Sequence, residues 1–204
     1  MCGIVGYAGN IETACGKPLE VCLQGLERLE YRGYDSAGVA LTAPGMDKVV
    51  VRKKAGRLKN LVEDIERKPM PLATVGIGHT RWATNGEPSD VNAHPHTSMD
   101  GKVAIIHNGI IENASQLRFD LQAEGYRFAS ATDTEVAAKL LGKIVDKIIA
   151  DEGKPDCSRL CAVWPACLKA RSPFWPPTAA SRTSWSEPAM IRHWSWALAR
   201  GRTS

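Results

Sequence analysis

The sequence contains no run of about 18 apolar residues, the length a membrane-spanning helix needs, so no helical membrane anchor is available in it. Its first residues, Met1-Cys2-Gly3-Ile4, lack the basic start of a secretory signal. A soluble, cytoplasmic protein is therefore the expectation. Six cysteines without such a signal are expected to stay reduced. Zinc-type spacing is missing as well: Cys157, Cys161 and Cys167 run C-x3-C-x5-C, and His94, His96 and His107 do not complete a ligand set with them. No metal and no organic cofactor is expected. The hydrophobic share of 44% and charged share of 24% are those of an ordinary globular chain.

What is scarce is also unevenly spread. Residues 157–204 hold one glycine, Gly201, and one acid, Glu187, against seven Lys/Arg, which leaves nineteen basic and twenty-one acidic residues for 1–156. The net charge of +4 therefore belongs to the tail and gives no argument for nucleic-acid binding. Five of the six tryptophans fall there too, and Pro165, Pro173, Pro176, Pro177 and Pro188 interrupt it. No period of 2 or 3.6 runs through it. Such a composition is what an alternative reading frame of a GC-rich gene yields. A frameshift near residues 154–157 is the expectation, with a genuine Trp/Arg-rich appendage or a disordered tail as the alternatives.

Residues 2–154 have a clear grammar. Ile4 to Ala8 predict a short buried strand. Leu19, Cys22, Leu23, Leu26 and Leu29 recur at helical spacing after Pro18, and Gly33 breaks the pattern. Ala37–Leu41 and Val49–Val51 predict two strands around a Pro44-Gly45 turn. Leu58, Leu61, Val62 and Ile65 predict a second helix, and 73–82 a strand. The stretch 83–101, dense in Gly, Pro, Asn and His, predicts loop. Val103–Ile106 predicts a strand, Asn113 and Gln116 a helix start, and Tyr126–Phe128 a short strand. Thr132-Asp133-Thr134-Glu135 reads as a capping box ahead of a helix that Gly153 and Pro155 stop. Strands and helices mix without strict alternation, which predicts a layered α+β domain.

Four places carry possible chemistry. Once Met1 is trimmed, Cys2 would bear a thiol and an α-amine on one carbon. The amine, with a pKa of about 7.7–8.0, can take the proton of a thiol near 8.5. The plain alternative is a small core residue. Arg81, at a strand end beside Trp82, suits bidentate capture of a carboxylate or simple packing on the indole. Asn108-Gly109 ends an apolar strand: an ordinary turn, or an amide and a backbone N–H forming an oxyanion hole. Asp133, in the first turn of a helix, is explained by the helix dipole and is also placed to hold an ammonium group.

Individually weak, these features occur in a specific order. Cys2-Gly3-Ile4-Val5-Gly6, Tyr31-Arg32-Gly33-Tyr34-Asp35-Ser36-Ala37-Gly38, His79-Thr80-Arg81-Trp82-Ala83-Thr84, Asn92-Ala93-His94-Pro95-His96, His107-Asn108-Gly109-Ile110-Ile111-Glu112-Asn113 and Thr132-Asp133-Thr134-Glu135 strongly resemble the glutaminase domain of the glutamine–fructose-6-phosphate aminotransferases (isomerizing). Those are class II amidotransferases of the N-terminal nucleophile type. The Arg-Gly-Tyr-Asp-Ser-Ala-Gly run points away from the related amidophosphoribosyltransferases and asparagine synthetases.

The resemblance implies an αββα sandwich of antiparallel sheets over about residues 2–154, incomplete at its C-terminal end. It implies Cys2 as nucleophile toward the side-chain amide of glutamine, through a thioester, with Asn108 and Gly109 as oxyanion hole. Arg81 would bind the α-carboxylate and Asp133 the α-amine. Thr84 would line the pocket, and Trp82 would stand near the ammonia exit. Sugar-isomerase domains acting on fructose 6-phosphate are expected in such an enzyme and are not recognisable here. The chain alone could then be at most a glutaminase, and an inactive fragment is the alternative. Asn85 stands where the family often has His, so an acid–base role there is not expected. Neither nucleic acid nor membrane is an expected partner.

Overall fold

The computed structural model describes residues 2–9, 17–82 and 86–155, together with the backbone of 170–171 and 195–198. In chain order the elements are β1 (Gly3–Ala8), α1 (Lys17–Leu29), a 3-10 turn (Glu30–Arg32), β2 (Ser36–Thr42), β3 (Val50–Ala55), α2 (Leu58–Arg67), β4 (Val75–Arg81), β5 (His96–Thr97), β6 (Ala104–His107), β7 (Ile110–Ile111), α3 (Ala114–Ala123), α4 (Asp133–Glu152), β8 (Ala170–Arg171) and β9 (Ser195–Leu198). A four-stranded sheet runs β1-β4-β2-β3 and a three-stranded sheet β5-β6-β9, while β7 pairs with β8. Every described pairing is antiparallel.

Period-2 alternation sorts the side chains between two cores. On the outer face of the larger sheet, Ala37 and Val39 of β2 pack with Cys22 and Leu26 of α1 and with Leu58, Leu61 and Ile65 of α2. The helix can sit this close because β4 offers glycine beneath it: a Cβ on Gly78 would lie 3.0 Å from Leu26 Cδ1. On the inner face, Ala40 and Ile77 meet Ala104 and Ile106 of the second sheet. The far side of that sheet, Val103 and Ile105, packs on Ala137, Ala138, Leu141 and Val145 of α4. The layer sequence is therefore helices, sheet, sheet, helices. This is the αββα sandwich that the resemblance implied. Full burial of one Leu or Ile side chain stabilises by roughly 1.5–3 kcal/mol.

Most of the anticipated elements form, with three corrections. β1 is not a buried strand: it lies at the sheet edge and only Gly3 of it is buried. Tyr126–Phe128 makes no strand pairing, because Tyr126 and Phe128 instead pack on Leu121, Val136 and Leu140 between α3 and α4. The predicted loop 83–101 contains the two-residue strand β5. The box at α4 is used in altered form. Thr132 Oγ1 accepts from Glu135 N at 3.3 Å, while the Glu135 carboxylate accepts from Ala129 N and Ser130 N at 3.0 and 2.6 Å, not from Thr132 N. Asn113 precedes α3 without a side-chain cap. Gly153, at φ 72°, closes α4 in the left-handed region that glycine tolerates. In the tail, β8 and β9 are the described elements; its other residues from 156 on, with Cys157, Cys161 and Cys167, lie outside the described residues, as does Cys15. The described cysteines, Cys2 and Cys22, are free thiols.

Candidate active site at the end of strand β4

Register explains why Cys2 meets the 79–82 run. β1 pairs with β4 so that Gly3 lies opposite Thr80, and Gly3 N donates to Thr80 Oγ1 at 3.1 Å. The chain start is thereby held against the strand end. Trp82 N donates to Cys2 Sγ at 3.2 Å, and the thiol lies 3.7 Å from Trp82 O. Burial pushes the Cys2 thiol above its ordinary value, and the Asp35 carboxylate adds to this; the Trp82 N–H and the Arg81 charge act the other way. The protein surroundings thus leave the sulfur as a thiol, and a base must take its proton for it to react as thiolate.

The last turn of β6 brings the second group. The Asn108 Nδ2 amide donates to Cys2 O at 3.4 Å, and His79 Nε2 lies 2.8 Å from Asn108 Oδ1. His79 is fully buried on β4, and burial pushes its pKa down to about 4. Its ring lies 4.5 Å from that of His94, which lies 5.0 Å from His96. His96 Nε2 is 2.9 Å from Thr132 Oγ1. Gly109 follows Asn108, exposed, at the entry to β7.

Arg81 ends β4 and is buried, with Nη2 donating to Gly86 O at 3.2 Å. Trp82, 48% exposed, meets Tyr34 edge-on at 5.4 Å. Asp133 opens α4, and its Oδ2 accepts from Ile111 N at 2.9 Å. Burial lowers the pKa of neighbouring His107 and the Asp133 charge raises it. The structure therefore gathers Cys2, Trp82, Arg81 and Asn108 at one end of the sandwich, with Asp133 beside the following strand β7. Thr84 and Asn85 lie outside the described residues. Sequence reasoning singled out Arg81 and missed the contact made by His79 two residues earlier. The signal was there: on β4, Ile77, His79 and Arg81 share the inner face.

A cleft lies elsewhere. It has a volume of about 630 Å³ and is lined by Lys53, Lys54, Asp90, Glu135 and Lys139 among others. Its charges are already matched: Lys53 Nζ donates to Val91 O and Ala93 O, and Lys54 pairs with Asp90 at 2.8 Å. Among the described residues no group of three or more His, Cys, Asp or Glu is arranged to hold a metal ion, and no helix is long and apolar enough to cross a membrane.

Residues 64–152 match the glutamine amidotransferase domain family. A glutamine–fructose-6-phosphate aminotransferase (isomerizing) of Corynebacterium efficiens is 59% identical over 145 residues, covering 71% of this chain and 23% of that protein. The protein of the same name from Thermus thermophilus is 55% identical over 141 residues, covering 69% and 22%. The chain thus spans about a quarter of the length of the curated relatives it matches. A glutamine phosphoribosylpyrophosphate amidotransferase of B. subtilis is similar in fold, with a TM-score of 0.58 and 25% identity over 83% of this chain and 33% of its own. A structure described as the allosteric regulatory enzyme of purine biosynthesis shares the fold at a TM-score of 0.63 and 24% identity, over 83% and 34%.

Proposed function

We propose, from the match of residues 64–152 to the glutamine amidotransferase domain family and the likeness to part of the glutamine–fructose-6-phosphate aminotransferases, that the chain hydrolyses glutamine to glutamate and ammonia at Cys2. The observation that carries the proposal is the convergence on one residue of a backbone donor from Trp82 at 3.2 Å and the Asn108 amide at 3.4 Å.

Removal of Met1 would free the Cys2 α-amine, the base the buried thiol needs. Sulfur attacks the side-chain carbonyl of glutamine as its proton passes to the amine. The carbonyl oxygen becomes an oxyanion, held by Asn108 Nδ2 and Gly109 N; one such donor is worth roughly 2.7–4 kcal/mol. On collapse the carbon–nitrogen bond breaks, the ammonium proton moves to the leaving nitrogen, and ammonia departs from a γ-glutamyl thioester. Water then adds, sulfur leaves and recovers its proton, and glutamate is released. Arg81 and Asp133 hold the α-carboxylate and α-ammonium of the substrate, a charge-assisted contact at each end of a zwitterion. Trp82 stands at the side where ammonia leaves.

By analogy with the relatives' name, the ammonia is destined for fructose 6-phosphate on sugar-isomerase domains outside this chain. Residues 2–154 carry the glutaminase unit, to whose strands β6 and β7 the tail adds β9 and β8.

A diazoketone analogue of glutamine tests the assignment. It should label Cys2 stoichiometrically, as located by peptide mass, and the Cys2→Ala variant should show no glutamine hydrolysis with an unchanged melting temperature. Labelling elsewhere, or hydrolysis retained without the thiol, refutes the nucleophile.

A further inference from the structure

We propose that His79 is a positioning residue for amide hydrolysis: it fixes which end of the Asn108 carboxamide faces Cys2. The inference rests on Asn108 acting as an oxyanion donor, as argued above.

A carboxamide has a donor at one end and an acceptor at the other, nearly equal in shape. Rotation by 180° exchanges them and would turn an oxygen, not an N–H, toward the reacting carbonyl. Nothing in the shape of Asn108 forbids this, so its partners must decide. His79 Nε2 lies 2.8 Å from Oδ1, and Nδ2 lies 3.4 Å from Cys2 O. Cys2 O can only accept, so it favours nitrogen on its side. His79 favours oxygen on the other side when its proton is on Nε2. Its Nδ1 is buried with no hydrogen-bond partner among the described residues. A proton on Nδ1 would therefore be an unpaired buried donor and would leave Nε2 to pull the amide the wrong way round. The Nε2-protonated tautomer makes the bond to Asn108 Oδ1 and leaves at Nδ1 an acceptor, not an N–H, unpaired, and orphaned buried N–H groups are the rarer case.

The ring is in turn held firmly. His79 is 0% exposed and stacks at 4.5 Å and 32° on His94. The chain at His94 presses against β2, where a Cβ on Gly38 would fall 2.1 Å from His94 O. This line of contacts runs from the sheet to the amide without touching Cys2 itself. His79 therefore acts through Asn108 and not on substrate.

Kinetics of glutamine hydrolysis in His79→Leu, His79→Gln, Asn108→Ala and the His79→Leu/Asn108→Ala double variant test the proposal. Leu fills the site without a donor, whereas the Gln amide offers an N–H near the position of Nε2. His79→Leu should lose roughly 10- to 100-fold in kcat with KM changed less than twofold, and His79→Gln should recover at least half of that loss on a logarithmic scale. In the double variant the two losses should not multiply, since the amide that His79 orients is already gone. Inhibition by the γ-aldehyde analogue of glutamate, whose thiohemiacetal oxygen occupies the same hole, should weaken in step with kcat. Inhibition by glutamate itself should not change. Full kcat in His79→Leu while Asn108→Ala loses it overturns the role of His79. Losses that multiply, or equal losses in folded Leu and Gln variants, overturn it too. Full kcat in Asn108→Ala overturns the underlying assignment of the amide instead. If His79→Leu does not fold, His79→Asn, too short to reach Oδ1, takes its place in the same cycle with the same outcomes.

Discussion

The two faces of the four-stranded sheet are built from different materials. The outer face, against α1 and α2, is aliphatic apart from the Cys22 thiol, whose burial pushes its pKa up to about 12 and keeps it inert. Aliphatic contacts on the inner face give way toward the end of β4 to His79, Arg81, His94 and His96, all buried. One strand serves both: Gly76 and Gly78 leave room for helix α1, and the residues between and beyond them carry imidazole and guanidinium inward. The contrast teaches that stability and chemistry are divided across a single sheet. The run Gly76-Ile77-Gly78-His79-Thr80-Arg81, glycine outward and then imidazole and guanidinium inward, is how the division is written.

The largest effect should come from damaging the outer face alone. Leu26 is fully buried between Cys22, Gly78 and the β2 side chains. Leu26→Ala should cost 2–5 kcal/mol of unfolding free energy, by transfer and cavity terms together. Denaturant titration measures it, and kcat at a temperature where the variant is folded should stay within about threefold. A fall in kcat as steep as the fall in stability would mean that the two faces are not separable.

The inner face should respond to acid where the outer one does not. His79 is lowered from 6.5 to about 4, and His94 and His96 lie well below their ordinary value, in each case first because burial excludes the charged form. Between these folded values and 6.5 the unfolded chain binds more protons than the native one, so stability rises with pH there. It is fully present above about 6.5 and is lost as pH falls toward 4. For His79 alone the interval is worth about 3 kcal/mol. Urea midpoints measured from pH 7 to 4.5 should fall steeply, and His79→Leu should flatten the slope by about one proton. Leu26→Ala should shift the curve without changing its slope. Parallel curves for wild type and His79→Leu would show that His79 does not titrate on unfolding.

How much of this was legible in the sequence follows from the same division. The helices α1, α2 and α4 and the β2–β3 hairpin were readable because their apolar spacing is local. β1 was misjudged as buried because edge or centre is set by which strands pair, and its partner, β4, begins at Val75. Tyr126–Phe128 was misread because aromatic residues suit a strand and a helix–helix gap equally. Cys2, Arg81, Asn108 and Asp133 were singled out from their local context and drawn together by the order of motifs. None of the four says alone what it meets. The bond from His79 to Asn108 joins positions 29 apart in sequence, and it exists only once β4 and β6 are laid face to face.

Asp133 gives the smallest and most discriminating test, because it stands between the two kinds of role. As the first residue of α4 its charge suits the helix dipole, worth typically 0.3–1 kcal/mol. Its Oδ2 also accepts from Ile111 N at 2.9 Å, tying the helix to β7. Asp133→Asn keeps an oxygen for that bond and removes only the charge. If the carboxylate also binds the substrate ammonium, KM for glutamine should rise about tenfold, about 1.4 kcal/mol, with kcat nearly unchanged and only a small drop in melting temperature. The His107 ring supplies an independent readout. Asp133 opposes the lowering of its pKa by burial, so the Asn variant should move the His107 titration to lower pH, as followed by NMR. A shift at His107 with an unchanged KM would assign Asp133 to the scaffold alone, and the substrate ammonium would then need another partner at this end of the sandwich.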